Sequence, residues 1–487
     1  MSEYRVVGKS VPRVDGPDKA AGRSIFGADV QLPGMLYGKV LYSARPHAMI
    51  VDIDTKRAER LPGVRAVITG EDVPPGRFGS IIKDEQIFAR EKVRLVGDRV
   101  AAVAADTPET AGEALSLIKV EYRDLPALFD PIEAMEPDAP LIHEEWESYG
   151  SGSFRTTSER IGNVCGRSEF TIGDPAKGFK EAEMVFEDQY TTPMVHQGYI
   201  EPHAATAMVE PSGRITVWST TQGQFSLRAD LAELFGLPLY QVRVIPTEIG
   251  GAFGGKIAPL IEPICVVLSK AAGRPVQIAM SRREEHMAAR PRHPGLVRIK
   301  TGVKADGTIT AREIAVILDS GAYADFGPGA AHAAAAGGRG PYDIPNAKLE
   351  ATCVYTNKPS GGAYRAPGGP QVTFAIESQL DTIAGALNMD PLEIRLKNGL
   401  KEGDLSYIGQ RIAKGALRDT LHRVAEGIGW GQPRKGPNRG RGLASSQWST
   451  SGAASGLTVG INEDGTVSVV SGSVDATGSN TIIAQAV

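Results

Sequence analysis

QVRVIPTEIGGAFGGKIAPLIEPICVVLSKAAG, residues 241–273, decides how this chain is read. QVRVIPTEI reads as a strand and APLIEPICVVLSKAAG as a helix, and between them IGGAFGGKIAPL (249–260) contains G-x-x-x-x-G-K. Strand, glycine turn and helix in that order are the setting of a phosphate loop. One residue speaks against it. A phosphate loop places Ser or Thr after the lysine to ligate Mg²⁺, and here Ile257 follows Lys256. What survives is general: consecutive glycines let backbone N–H groups approach an anion or a flat polar ligand where a Cβ would collide.

Working outward, short β-type runs alternate with helical patches from Gly22 to about Pro131: MLYGKVLYS, VRAVIT and DRVAAVAA against TKRAERL and TPETAGEALSLI. This predicts an α+β unit. Residues 134–168 are rich in Pro, Glu, Gly and Ser with little periodicity and read as a surface linker. From Glu169 strands resume at FTIGD and MVFEDQYTTPMV. RITVWST, LVRIKTGV and REIAVILD follow as strands, with helices at QFSLRADLAELFG and QVTFAIESQLDTIAGALN. KGPNRGRG then precedes strands at LTVGINED and TVSVVSGSV. TIIAQAV reads as a helix opening without a C-terminal cap, which leads to the expectation that more chain completes the fold.

At 487 residues the chain has room for roughly two to four domains. Its 41% apolar and 23% charged content suits a soluble globular protein. A net charge of −4 supplies no basic field for nucleic acid or anionic lipid, so neither partner is expected. No apolar run follows a basic start and no long apolar stretch interrupts the chain, which makes a cytoplasmic location the expectation. Cys165, Cys265 and Cys353 lie far apart with no C-x-x-C pair, so this polypeptide alone can build neither a zinc site nor an iron–sulfur cluster. They read as small buried apolar groups.

Three further groups are candidates for chemistry. In WSTTQGQFSLRADLAELFG, Gln222 stands between a strand end and a helix, where its amide can reach a ligand or simply cap the helix. GGAYRAPGGP (361–370) is a second glycine-dense turn entering a helix, with Arg365 at its centre; a lone Arg in such a loop is ordinarily a surface ion-pair partner. HQGYIEPHA carries His196, Glu201 and His203, possible ligand types but without metal-site spacing, so no metal ligand is assigned. Phe253, within the first turn, is by default a core aromatic.

Together GGAFGGK, the upstream STTQ and the downstream AYRAPGGPQ resemble the molybdenum-binding large subunit of the xanthine dehydrogenase and aldehyde oxidase family. The intervals agree as well: Gln222 to Phe253 is 31 positions and Phe253 to Arg365 is 112. VPRVDGPDKAAGRSIFGADVQLPGMLYGKVLYSARPHAMI and LPGVRAVITGEDVP are similar to that family's α/β hammerhead domain. The resemblance runs over nearly the whole chain. It implies a hammerhead domain over residues 1–133, a linker over 134–168, a first molybdopterin-binding domain over 169–402, and over 403–487 the incomplete start of a second.

The resemblance also implies roles. Gln222 matches the glutamine that hydrogen-bonds an oxo group on molybdenum. Gly251, Ala252, Phe253, Gly254 and Gly255 match the turn whose amides pass beside metal and pterin. Arg365 matches an arginine lying by the pterin from the other side. Oriented donors that do not themselves become ligands suit such a group. The cofactor implied is molybdopterin, in its cytosine dinucleotide form, with molybdenum. The [2Fe-2S] centres and FAD that carry electrons onward belong on an iron–sulfur subunit and an FAD subunit, with the rest of the site left to a second molybdopterin subunit or to further chain.

Departures narrow the substrate. A purine-hydroxylating relative has glutamate where Ile257 stands, an arginine where the alanine run AAHAAAAGG places Ala333, and an aromatic where Pro367 stands. Without those groups a purine would leave its hydrogen bonds unmade, so an aldehyde or N-heteroaromatic is the expected small organic substrate, with Ile257 and Pro367 in its pocket. Ala366 replaces the cysteine with which a carbon monoxide-oxidising relative holds copper, and copper is not expected. The family's general-base glutamate lies well beyond Val487. Asp475 and Glu201 fall at no matching position, and no catalytic residue is assigned. Two rival readings remain: a non-catalytic assembly or cofactor-binding subunit, and an NTPase.

Overall fold

The computed structural model describes all residues except 1–3, 153–159, 407–408, 434–435, 449–455 and 476–477. Its largest sheet has seven strands in the order Val242–Pro246, Ile215–Ser219, Ala204–Val209, Val276–Ala279, Leu36–Tyr42, Arg99–Ala105 and Val64–Thr69. The first four strands come from the middle of the chain and the last three from its N-terminal part. They join where Leu36 and Tyr37 run parallel to Val276 and Gln277. The join is tight, since a Cβ on Gly38 would stand 2.6 Å from Ile278 Cγ1. RVAAVAA, the strand Arg99–Ala105, is buried at every position. Its small side chains admit one helix on each face, Glu262–Ala272 and Pro108–Leu117.

A second sheet has five strands, ordered Val164–Ile172, Ala347–Tyr355, Ile309–Gly321, Gly295–Val303 and Met184–Thr192. The last alternates between half-buried and exposed residues, as a strand with one covered face must. Helices Gly327–Ala336 and Gly369–Ala386 supply the cover. A small sheet of Lys92–Val93, Ala48–Asp54 and Lys119–Asp124 and a hairpin of Leu457–Ile461 with Val467–Ser471 complete the strands described.

The helices read from periodicity are found: Lys56–Glu59, Pro108–Leu117, Gln224–Leu234 and Gly369–Ala386, and all of TIIAQAV but Val487 lies in the helix Ser479–Ala486. APLIEPICVVLSKAAG is helical only over Glu262–Ala272, ending at Gly273 with φ +63. Helices at Arg282–Ala288, Gly327–Ala336, Pro391–Asn398 and Ala416–Gly427 were not anticipated. The second is nearly all alanine and glycine and buried almost all round, so it lacks the amphipathic period by which helices are recognised.

The reading of residues 134–168 as a surface linker needs correction. A strand already begins at Val164, and Ile142, His143 and Tyr149 are buried against the five-stranded sheet. His143 bonds Tyr149 Oη at 2.8 Å and Ala322 O at 2.7 Å. The Asn163 amide donates to Ala134 O and Pro140 O and accepts from Ile142 N–H. Exposed residues such as Glu136, Asp138, Glu144 and Glu147 are interspersed there with buried ones, and polar side chains pin the stretch. The three cysteines are free and buried.

Candidate functional site

The glycine turn opens at the end of strand Val242–Pro246. Gly251 and Gly254 adopt φ of +94 and +104, and Phe253, unusually for a side-chain-bearing residue, +52. Space explains the glycines as well. A Cβ on Gly254 would lie 2.9 Å from Ala363 O, and one on Gly255 would lie 3.0 Å from Gln197 Cδ.

The second turn meets the first directly. Arg365 N–H donates to Phe253 O at 2.9 Å, and the Gln197 amide bridges from Ala363 O (3.0 Å) to Arg290 O (2.8 Å). Gly361 packs on the His293 ring and Gly368 on the Ala330 carbonyl, at separations that no Cβ could share. Ala366 carries φ +63. From the other side Arg292 lies 4.4 Å from the Tyr364 ring centre and donates to Arg365 O at 2.9 Å. Burial lowers the Arg292 pKa, with Tyr364 opposing it.

Gln222 completes the convergence. Its N–H donates to Lys256 O at 2.8 Å, and its Oε1 accepts from the N–H groups of Gly254 (2.9 Å) and Lys256 (3.4 Å). The amide orientation is thereby fixed, and Nε2 has no acceptor among the described residues. The N–H groups of Gly251, Ala252 and Phe253 likewise have no acceptor among the described residues. The Arg365 side chain is exposed and has no partner among them. Phe253 is 44% exposed rather than a core aromatic. Ile257 and Pro367 are half-buried. Three backbone donors and an amide, with the backbone of Arg365 bonded beside them, are thus drawn together from segments 31 and 112 positions apart. Such a donor set fits a guest rich in acceptors or negative charge.

Lys256 is not part of a phosphate loop. Its side chain is fully buried, with Nζ 3.0 Å from Glu201 Oε2, and the helix starts only at Glu262. Burial lowers the Lys256 pKa and Glu201 opposes that. His196, Glu201 and His203 do not converge on one point. Glu201 accepts from Gly250 N–H at 2.7 Å, whereas His203 Nδ1 lies 2.9 Å from Glu285 Oε1. Burial opposes ionisation of Glu285, but His203, His196 and Tyr199 outweigh it and hold the carboxyl well below its ordinary range. Among the described residues no group of three or more His, Cys, Asp and Glu could hold a metal ion. Asp475 caps the helix Ser479–Ala486, accepting from Ser479 N–H at 3.0 Å.

Gln197, Glu201 and Arg292 belong to this neighbourhood, and sequence reasoning assigned none of them to it. Glu201 was visible only as a possible ligand type and as an unmatched candidate base. Nothing local to Gln197 or Arg292 points to a turn more than fifty positions away.

Residues 157–399 match the molybdopterin cofactor-binding domain, and residues 21–126 match the aldehyde oxidase and xanthine dehydrogenase a/b hammerhead domain. The chain is 40% identical over 402 residues to a probable xanthine dehydrogenase subunit of Bacillus subtilis, covering 82% of this chain and 52% of that protein. It is 36% identical over 426 residues to the nicotinate dehydrogenase large molybdopterin subunit of Eubacterium barkeri, covering 87% of this chain and 96% of that subunit. The chain therefore spans about half of one relative and nearly all of the other. The solved aldehyde oxidoreductase of Desulfovibrio gigas superposes with a TM-score of 0.83 at 28% identity, over 96% of this chain and 52% of that one.

Proposed function

The chain belongs to the xanthine dehydrogenase and aldehyde oxidase family of molybdopterin-binding proteins, and on that premise we propose that it forms the cofactor-holding part of a molybdenum hydroxylase. The observation that carries this reading is the bond from Arg365 N–H to Phe253 O, with the Gln222 amide clamped beside it and its Nε2 left to donate. When bound, the cofactor supplies a two-electron oxidation of a substrate C–H with oxygen derived from water. Gln222 Nε2 and the N–H groups of Gly251, Ala252 and Phe253 orient its acceptor groups without ligating the metal. The Arg365 guanidinium offsets pterin-side negative charge. Gly254 and Gly255 let the backbone come close.

Ile257 and Pro367 give the substrate pocket apolar walls, which favours an aldehyde or N-heteroaromatic over a purine. We assign the hammerhead domain to residues 1–133, the first molybdopterin-binding domain to 169–402, with its first strand starting upstream at Val164, and the start of a second to 403–487. The dinucleotide is the cytosine form, the setting is the cytoplasm, and separate subunits carry [2Fe-2S] and FAD. Among the described residues no helix is long and apolar enough to cross a membrane.

A further molybdopterin-binding polypeptide also has a place to dock. In the hairpin, Leu457, Val459, Ile461 and Val467 share one face and are 51%, 47%, 80% and 47% exposed. A two-stranded hairpin is marginal alone, and another strand layer on this face would stabilise it. The general base is left to a second molybdopterin subunit or to further chain, and no described residue is assigned to it.

The test is Gln222→Ala in the isolated complex. Turnover falls roughly 10–100-fold while molybdenum content changes less. Unchanged turnover, or molybdenum and pterin that stay with a complex stripped of this chain, overturns the reading.

A further inference from the structure

Behind the donor face lies an ion pair with no role in the reading above. Lys256 Nζ and Glu201 Oε2 are 3.0 Å apart, with no exposed surface on the lysine side chain. The same carboxylate atom accepts from Gly250 N–H at 2.7 Å, and Glu201 N–H donates to Gly250 O at 3.2 Å. Its second oxygen accepts from Gly27 N–H at 3.2 Å, in the N-terminal part of the chain. Glu201 thus holds the first residue of the turn through backbone groups and the last through a side chain.

The grip continues to Gln222. The Lys256 carbonyl accepts from Gln222 N–H and the Lys256 N–H reaches Gln222 Oε1, so one residue ties both the carboxylate and the amide. Little slack remains. A Cβ on Gly250 would stand 2.5 Å from Glu201 Cβ, and the ammonium lies 4.9 Å from the Tyr199 ring centre. Tyr199 in turn donates to Glu285. A buried ion pair contributes little net stability compared with an apolar pair of similar shape. Its consequence here is geometric.

We propose that the Lys256–Glu201 pair is a positioning latch, which sets the spacing of the turn's free N–H groups and the aim of the Gln222 amide. This rests on the cofactor reading above and extends it to two residues that touch neither cofactor nor substrate. The turn has seven residues, three with positive φ, and would otherwise have several backbone wells of similar energy.

The experiment uses the complex isolated with the full chain and two variants chosen to remain folded. The double variant Lys256→Met with Glu201→Gln leaves no buried charge unpaired. Glu201→Asp keeps the charge but shortens its reach. Molybdenum and pterin per chain, melting temperature, kcat and KM are measured for each. Both variants are expected to melt near the wild type, yet to lose cofactor content and kcat by about tenfold or more, with KM moving less. Wild-type cofactor content and kcat in both variants would overturn the latch alone. A wild-type chain that carries neither molybdenum nor pterin would overturn the cofactor reading instead, before any variant is compared.

Discussion

Gly254 shows how much a single position decides. Its φ of +104 and the 2.9 Å between a hypothetical Cβ and Ala363 O hold that site to glycine, and its N–H is one of the two that orient Gln222. Under the second turn His293 matters in another way. Its ring packs on Gly361, and its Nε2 is buried without a partner among the described residues. Burial, aided by Arg292, pushes its pKa down to about 4. The unfolded chain takes up this proton near pH 6.5 and the folded chain only near 4, so protons favour the unfolded state between those values. The contribution of neutral His293 is complete above about pH 6.5 and is lost as pH falls toward 4, by roughly 3 kcal/mol in all. Denaturant titrations across that range should show a flatter profile for His293→Gln than for the wild type. Parallel profiles would mean that His293 does not titrate differently on folding.

At the scale of elements, the short helix Arg282–Ala288 illustrates what local chemistry can hold. It has a capping box: Ser281 N–H donates to Glu284 Oε2 at 2.7 Å and Ser281 Oγ accepts from Glu284 N–H at 3.3 Å. That cap fixes the turn bearing Glu285, which holds His203 and Tyr199 beneath the site. Ser281→Ala should destabilise the chain by about 1 kcal/mol, read as a lowered denaturation midpoint with an unchanged slope. An unaltered midpoint would show the helix to be fixed by Glu285 alone. S-R-R-E precedes no long apolar period, so the sequence analysis assigned no helix there.

At the scale of the molecule, the seven-stranded sheet joins two stretches that sequence separates. Leu36, Val40, Ile68 and Ala102 share a core with Leu231, Ile264 and Val276. Produced alone, residues 1–133 would expose that apolar face and leave the edge of Leu36–Tyr42 unpaired. They should bind a hydrophobic dye and melt without cooperativity, while in the whole chain both parts melt in one transition. A sharp independent transition for 1–133 would show that the shared sheet does not couple them.

The class of the fold, most of its regular elements and the three segments that the structure brings together were legible in the sequence alone. Each of these is written locally, in the period of apolar residues, in glycine spacing or in the wording of GGAFGGK, STTQ and AYRAPGGPQ. It took the packed chain to show that Arg365 bonds Phe253, that Gln222 Oε1 accepts from the Gly254 N–H, and that Lys256 faces Glu201 rather than a phosphate. Those outcomes depend on strands and turns from distant positions packing side by side, and on burial that makes each polar group take whichever partner is within reach.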